Sequence, residues 1–214
     1  MAITPRIAAF WDAAADSFDE EADHGLRDPR VRDAWAARLA AWLPDPPADV
    51  LDLGCGTGSL SVLLARRGFR VTAVDLSPNM VEHARRKLTA ANLDARVLVA
   101  DASDLPPLGD IDVVLVRHLL WTLPDPTGAL RHWIGLSRPG GRLVLVEGRW
   151  HTSAPDDGYV GGSHALPWTG GVTAETLTAT LRPLATDLRV EPLTDPALWG
   201  RAITDERYAV IATV

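Results

Sequence analysis

The densest chemical signal in the chain is the run Asp52-Leu53-Gly54-Cys55-Gly56-Thr57-Gly58. Glycine at 54, 56 and 58 removes side chains where a backbone must turn sharply and come close to a ligand. A loop of this kind that opens a helix offers free N–H groups, so a nucleotide-like ligand is expected there. Spacing separates the alternatives. Counted from Gly54, the dinucleotide pattern G-x-G-x-x-G needs glycine at 59, but Ser59 stands there and glycine occupies 58. A P-loop is absent as well, since no Gly-Lys-Ser or Gly-Lys-Thr follows.

The elements that must position this loop show in the hydrophobic pattern. Val50–Leu53, Val71–Val74, Val97–Ala100, Val113–Val116 and Leu143–Val146 are short, β-branched-rich runs bounded by Gly, Pro or Asp, and read as buried parallel strands. Between them, Ser77-Pro78 and Asp125-Pro126 each supply an N-cap followed by proline, starting helices through Ala91 and Leu136. The alternation of strand and helix predicts an α/β fold, a doubly wound and mostly parallel sheet covered on both faces. Ahead of it, Asp28-Pro29 caps a helix to Trp42 with Val31, Trp35, Leu39 and Trp42 on one side, a packing helix. The extreme N-terminus, with Phe10, Trp11 and Phe18, is also expected to be helical. Residues 1–48 are thus expected as a helical lid or packing segment and 49–214 as the core of one domain overall. A long irregular stretch, 148–172, is a candidate substrate loop. Thr173 then caps a short helix to Leu181, and Leu188–Leu193 and Tyr208–Val214 close the chain as strands.

On the loop from Asp52 to Gly58, the chain resembles the class I S-adenosylmethionine-dependent methyltransferases, whose first motif is an acid, any residue, then Gly-x-Gly-x-Gly after strand one. The resemblance continues through Asp75 at the end of strand two and Asp101-Ala102 at the end of strand three. It extends to Arg138-Pro-Gly-Gly-Arg-Leu-Val before strand five and to terminal strands like that family's antiparallel sixth and seventh, spanning about Val50 to Val214. It implies a seven-stranded Rossmann-like sheet and S-adenosylmethionine as cofactor. Asp75 then accepts hydrogen bonds from both ribose hydroxyls, Asp101 from the adenine amino group, and the Ala102 amide recognises a ring nitrogen. Leu76 and Met80 either pack on the adenine faces or belong to the core. Asp52 is an indirect contact to the methionine amine or a turn residue, and Arg117 offers that amine mainly its backbone carbonyl. Gly58 serves the cofactor or only helix packing, Cys55 is a small filler facing the loop, and Trp11 and Phe18 are expected to close over the cofactor.

The methyl acceptor belongs after strand four, at the switch point of the sheet. The sequence there, Arg117-His118-Leu119-Leu120-Trp121-Thr122-Leu123-Pro124, lacks the Asn/Asp-Pro-Pro-Tyr signature of methyltransferases acting on nucleic-acid bases. Transfer from a sulfonium is an in-line displacement accelerated largely by positioning. A base is needed only for a hydroxyl or protonated nitrogen, and His118 is the side chain placed to serve as one, or else to orient the substrate. Trp121, Trp150 and Trp168 could wall a planar acceptor or lie in the core. His24, His151 and His164 are scattered without metal-ligand spacing, so no metal site is expected.

Composition narrows the function classes. With 214 residues, a net charge of −7 and a pI near 5.3, the chain as a whole offers no long-range attraction to phosphate backbones, which favours a small molecule over nucleic acid. No apolar stretch approaches the roughly 20 residues of a membrane span. The N-terminus lacks a secretory pattern and Cys55 is the single cysteine, so a cytoplasmic location is expected. Lys87 is the single lysine beside abundant arginines, which reads as codon bias of a GC-rich genome. The favoured function is an enzyme that methylates a small molecule, in the manner of natural-product tailoring; the alternative is a cofactor-binding regulator without turnover. The oligomeric state is not indicated.

Overall fold

The computed structural model describes residues 3–150 and 166–214. His151, His164 and most of the 148–172 loop fall outside the described residues. The apolar runs form strands β1 (Asp49–Leu53), β2 (Arg70–Asp75), β3 (Arg96–Val99), β4 (Ile111–Arg117), β5 (Ser137–Arg149), β6 (Asp187–Pro192) and β7 (Glu206–Thr213). They make a seven-stranded sheet of order β3-β2-β1-β4-β5-β7-β6. β1 is parallel to β2 and β4, β2 to β3 and β4 to β5, whereas β7 runs antiparallel to both β5 and β6. The strand order reverses between β1 and β4, so a crevice opens above their carboxyl ends.

Alternation along each central strand divides the core in two. Val50 faces a layer built from Trp35, Leu39, Leu64 and Val81, while Leu51 and Leu53 face Leu130, Trp133, Leu177 and Leu181. The first layer is covered by α3 (Pro29–Trp42), α4 (Ser59–Arg66) and α5 (Pro78–Ala90), the second by α6 (Pro126–Leu136) and α7 (Ala174–Leu181). The helices begin where the sequence indicates. Asp28 accepts from the Arg30 amide at 2.8 Å, Ser77 from Met80 at 3.1 Å, Asp125 from Gly128 at 2.8 Å and Thr173 from Thr176 at 3.2 Å. Each such cap is worth about 1 kcal/mol.

Two details differ from the sequence reading. β5 starts at Ser137, not after the Arg138–Gly141 turn: Ser137 pairs with Ile111, the register slips, and pairing resumes at Arg142 opposite Val113. Gly140, at φ 77°, provides the left-handed step of that irregularity. β3 ends at Val99, before Asp101, although the Ala100 amide still donates to the Asp75 carbonyl at 3.0 Å.

The segment ahead of the sheet comprises α1 (Ile3–Ala14), a 3-10 turn (Phe18–Glu20), α2 (Ala22–Gly25) and α3. α3 is a packing helix whose Trp35 and Trp42 are fully buried, donating to the Leu198 carbonyl and to Glu191 at 2.7 and 3.0 Å. α1 and the turn instead lie over the strand ends. Among the described residues, no helix is long and apolar enough to cross a membrane.

Candidate functional site

A cavity of about 260 Å³ occupies the crevice at the carboxyl ends of β1, β2 and β4. One end is built from the glycine loop. Gly54, Gly56 and Asp52 line it after β1, Asp75, Leu76 and Met80 after β2, and Asp101 and Ala102 after β3. Gly56 sits at φ 54°, and a Cβ there would stand 3.1 Å from the Phe18 ring, so glycine is what lets the loop and the N-terminal turn approach each other. Gly58 is placed elsewhere: it does not line the cavity, and a Cβ on it would meet the Ala84 Cβ at 2.7 Å. Its role is to let α4 and α5 pack, one of the two alternatives its motif leaves open.

Both Asp75 oxygens are engaged by backbone. Oδ2 accepts from the Gly56 amide at 2.8 Å and Oδ1 from Ser77 at 2.9 Å. Burial raises the Asp75 pKa and these amides pull it back; lone pairs on both oxygens are left for a ligand's hydroxyls. Asp101 uses Oδ1 to accept from the Ser103 amide and hydroxyl at 2.9 and 2.6 Å. Asp52 is buried, takes a 2.5 Å bond from Ser61, and is pushed up to about 6 by desolvation, which that bond and Arg117 oppose. Burial also drives the Cys55 thiol well above its ordinary value, which disfavours the thiolate where it lines the cavity.

The other end of the cavity is aromatic. Trp11 of α1 meets Phe18 at 5.9 Å and Trp121 at 6.4 Å between ring centroids, and Trp121 meets Trp150 at 6.4 Å, all edge to face. These residues line the cavity together with His118 and Arg117. Trp168 does not: its carbonyl accepts from the Gly171 amide in a turn, and the ring packs on the second core. His118 follows β4 with φ 56°, a left-handed backbone that a branched side chain rarely takes, held by its amide on the Val146 carbonyl at 2.9 Å. Such strain clusters at functional positions. The ring stands edge-on to Trp150 at 4.9 Å and stacks on Trp199 at 5.9 Å. Its Nε2 is buried with no hydrogen-bond partner among the described residues. Desolvation, then Arg117, Arg207 and His24, hold its pKa well below the usual value, so the imidazole is neutral at physiological pH.

Arg117 does more than present a carbonyl. Its buried guanidinium donates to the Asp23 carbonyl at 2.6 Å and lies 5.0 Å over the Trp35 ring.

Several participants escape sequence reasoning. Arg207 of β7 lines the cavity, bonded to Asp205 at 2.8 Å and 4.4 Å over Trp150. Glu147 of β5 is wholly buried; Oε1 accepts from the Leu119 and Leu120 amides at 3.1 and 3.0 Å, bracing the chain after His118. Its signal was present, an acid directly after the apolar run Leu143–Val146. Lys87 is not merely a compositional residue. It donates to Asp19 at 2.9 Å, Thr57 at 2.8 Å and Ser59 at 2.8 Å, tying the N-terminal turn to the loop and α4. Asp12 likewise accepts from the Ser77 hydroxyl at 2.5 Å and the Asn79 amide at 3.0 Å.

Residues 51–145 match the family model described as a methyltransferase domain. A ubiquinone biosynthesis O-methyltransferase of Xanthomonas campestris pv. campestris (strain B100) is 37% identical over 138 residues, 64% of this chain and 54% of that protein. The chain therefore spans about half the length of such relatives. The N-methyltransferase NodS of Bradyrhizobium japonicum WM9, solved with S-adenosyl-L-homocysteine, has a TM-score of 0.65 at 19% identity, over 95% of this chain and 97% of that one. Magnesium protoporphyrin IX methyltransferase from Synechocystis PCC 6803, solved with bound S-adenosylmethionine, has a TM-score of 0.62 at 22% identity, covering 85% and 77%. The fold is common to this chain and those two solved structures.

Proposed function

We propose, on the premise that residues 51–145 form a methyltransferase domain of the class I S-adenosylmethionine-dependent kind, that this chain transfers a methyl group to the hydroxyl or nitrogen of a small molecule. The observation that carries the proposal is one cavity with two unlike ends, glycine loop and acids at one, His118 and tryptophans at the other. The residues fit the cofactor. Gly56 is a cradle that a Cβ would fill, Asp75 keeps acceptor capacity for two ribose hydroxyls, and Asp101 and Ala102 stand where an adenine edge belongs. Leu76 and Met80 cover the base, Asp52 and Arg117 attend the methionine amine, and Trp11 and Phe18 roof the site.

When bound, the cofactor supplies an electrophilic methyl on a sulfonium. The chain's own task is to bring an acceptor in line with that carbon and to exclude water. Trp121 and Trp150 bound a slot suited to a planar, apolar acceptor. His118 Nε2, unpartnered on a neutral imidazole, would take the proton of an acceptor hydroxyl as that oxygen is methylated. A neutral amine acceptor would need no such transfer, so the His118 chemistry favours a hydroxyl.

The test is calorimetry with S-adenosylhomocysteine, followed by incubation of the protein with methyl-labelled S-adenosylmethionine and a panel of phenols and amines. Micromolar binding and label transfer to a phenol are the expected results. Preference for a nicotinamide dinucleotide would overturn the proposal.

A further inference from the structure

The N-terminal segment brings to His118 two groups that neither the glycine loop nor the aromatic slot requires. Asp23 and His24 lie on α2, and one ligand atom from each of Asp23, His24 and His118 falls within 4.8 Å of the others. Two of these groups have unused nitrogen: His24 Nδ1 and His118 Nε2 are both buried, and neither has a hydrogen-bond partner among the described residues. A buried polar atom without a partner costs about 1–3 kcal/mol, so each of these imidazoles gains by taking one more partner. A cation held between the two rings would serve both.

We propose that Asp23, His24 and His118 hold a divalent first-row transition cation of the zinc type, bridging the N-terminal segment to the end of β4. Two imidazoles and one carboxylate are a recurring donor set for such ions and leave open positions for water or an acceptor atom. Here those positions face the cavity that His24 and His118 line. Tetrahedral ligands at about 2.0–2.1 Å stand about 3.3 Å apart, so the three ligand atoms, within 4.8 Å of one another, would have to draw together by up to about 1.5 Å. Both imidazoles are kept neutral, the form that binds metal: His24 by burial and then by Arg117, His118 by burial and then by Arg117, Arg207 and its neighbour His24.

The surrounding charge decides which ion. Arg117 and Arg207 face His118 and oppose any cation, and within the cluster a single carboxylate, Asp23, with Glu21 acting on His24 from outside it, offsets them. Magnesium and calcium bind through several oxygens and find too few here. An ion that bonds strongly to imidazole does not depend on a negative field to the same degree. The bound ion would also fasten the roof. The His24 ring stacks on Phe18 at 4.3 Å, and Phe18 covers Gly56, so fixing His24 fixes the aromatic that lies on the glycine loop. The sequence could not show this cluster because its ligands sit in segments far apart along the chain, without the short spacing of a metal motif.

The test is titration of the chelator-treated full chain with Zn²⁺ by calorimetry, and with Co²⁺ by visible absorption, with no methyl donor or acceptor present. Its outcome is therefore read apart from the methyl-transfer proposal; the ion-bound His118 and the His118 that accepts a proton are alternative states of the chain, since one lone pair cannot serve both. The site predicts one Zn²⁺ per chain, Co²⁺ bands of four- or five-coordinate nitrogen and oxygen ligation, no comparable binding of Mg²⁺, and at least tenfold weaker Zn²⁺ binding in His24→Ala and in Asp23→Asn. No stoichiometric Zn²⁺ binding, or binding undiminished in both variants, overturns the proposal. If the variants fail to fold, the wild-type cobalt spectrum decides alone, since six-coordinate aqua-like bands would overturn it too.

Discussion

His118 and Glu147 show how single residues at the end of β4 are set by their surroundings. The imidazole is desolvated and faces Arg117 and Arg207, so its proton affinity falls well below the usual histidine value. In protein freed of metal by chelation, turnover with a hydroxyl acceptor is therefore expected to stay flat through pH 7 and to decline only well below pH 6.5. His118→Ala should lower turnover by about 10² or more while S-adenosylhomocysteine affinity hardly changes, measured by steady-state rates and calorimetry. Loss of cofactor affinity in that variant, with the fold intact, would move His118 to the other end of the cavity. Glu147 is shifted the opposite way, pushed up to about 8 by burial against the pull of the Leu120 and Leu119 amides and Arg207. Below about pH 4.3 it is neutral both folded and unfolded and contributes no pH dependence. As pH rises toward 8, unfolded chains give up the proton while folded ones keep it, so stability declines across that window, by on the order of 5 kcal/mol in all. Glu147→Gln keeps an oxygen for the two amides and cannot ionise. Its urea midpoint should approach or exceed that of the wild type at pH 8 and fall relative to it toward pH 5; parallel profiles would show that Glu147 is not the group responsible.

At the scale of elements, the N-terminal segment is fastened to the cofactor loop by polar bonds, not only by its aromatics. Asp19 accepts from Thr57 at 2.5 Å and pairs with Lys87 at 2.7 Å, and burial of its carboxyl is outweighed by these partners. Asp12 holds Ser77 and Asn79, and His83 meets Asp16 at 2.9 Å. Removing Asp19 leaves the Lys87 ammonium half-satisfied in a part-buried place, a cost of about 1–3 kcal/mol. Asp19→Ala is thus expected to speed amide exchange across residues 5–25 by about tenfold or more, with little change in β1 or β4, and saturating S-adenosylhomocysteine should recover part of the protection. Uniform acceleration over the whole chain would mean global destabilisation instead. These fastenings were illegible in the sequence for a plain reason. The caps Asp28, Ser77, Asp125 and Thr173 act within three residues of themselves, and strand faces repeat every second residue, so both can be read locally. Asp19 with Lys87, Arg117 with Asp23, and Arg207 with Trp150 join segments whose meeting depends on the whole topology. For the same reason Gly58 and Trp168 carry motif-compatible identities yet point away from the cavity.

For the molecule as a whole, the cavity is the place where its separate parts meet. Its walls come from β1, β2 and β4, from the turns after β3 and β4, from β7 through Arg207, and from α1 and the turn at Phe18. Val50 and Leu51 of the strand beneath it belong to opposite cores, so the ends that hold the ligand are anchored in both layers. A ligand seated there contacts groups that come together only in the folded chain. Binding is then linked to the global unfolding equilibrium and contributes RT ln(1 + [L]/Kd), about 2.7 kcal/mol at a hundredfold excess over Kd. For a domain of 150–250 residues each kcal/mol moves Tm by about 2–4 °C, so S-adenosylhomocysteine should raise the midpoint by roughly 5–11 °C at that excess. The sheet and the N-terminal segment should melt in one transition, followed by tryptophan fluorescence for the aromatic roof and far-ultraviolet circular dichroism for the sheet. Asp75→Ala loses charge-assisted bonds to the ribose worth about 1–3 kcal/mol, and the same ligand concentration should then raise the midpoint by roughly a tenth to two-thirds of that amount. Two separate transitions, with the ligand moving only the fluorescence one, would instead mean that the roof closes over a core whose stability does not depend on it.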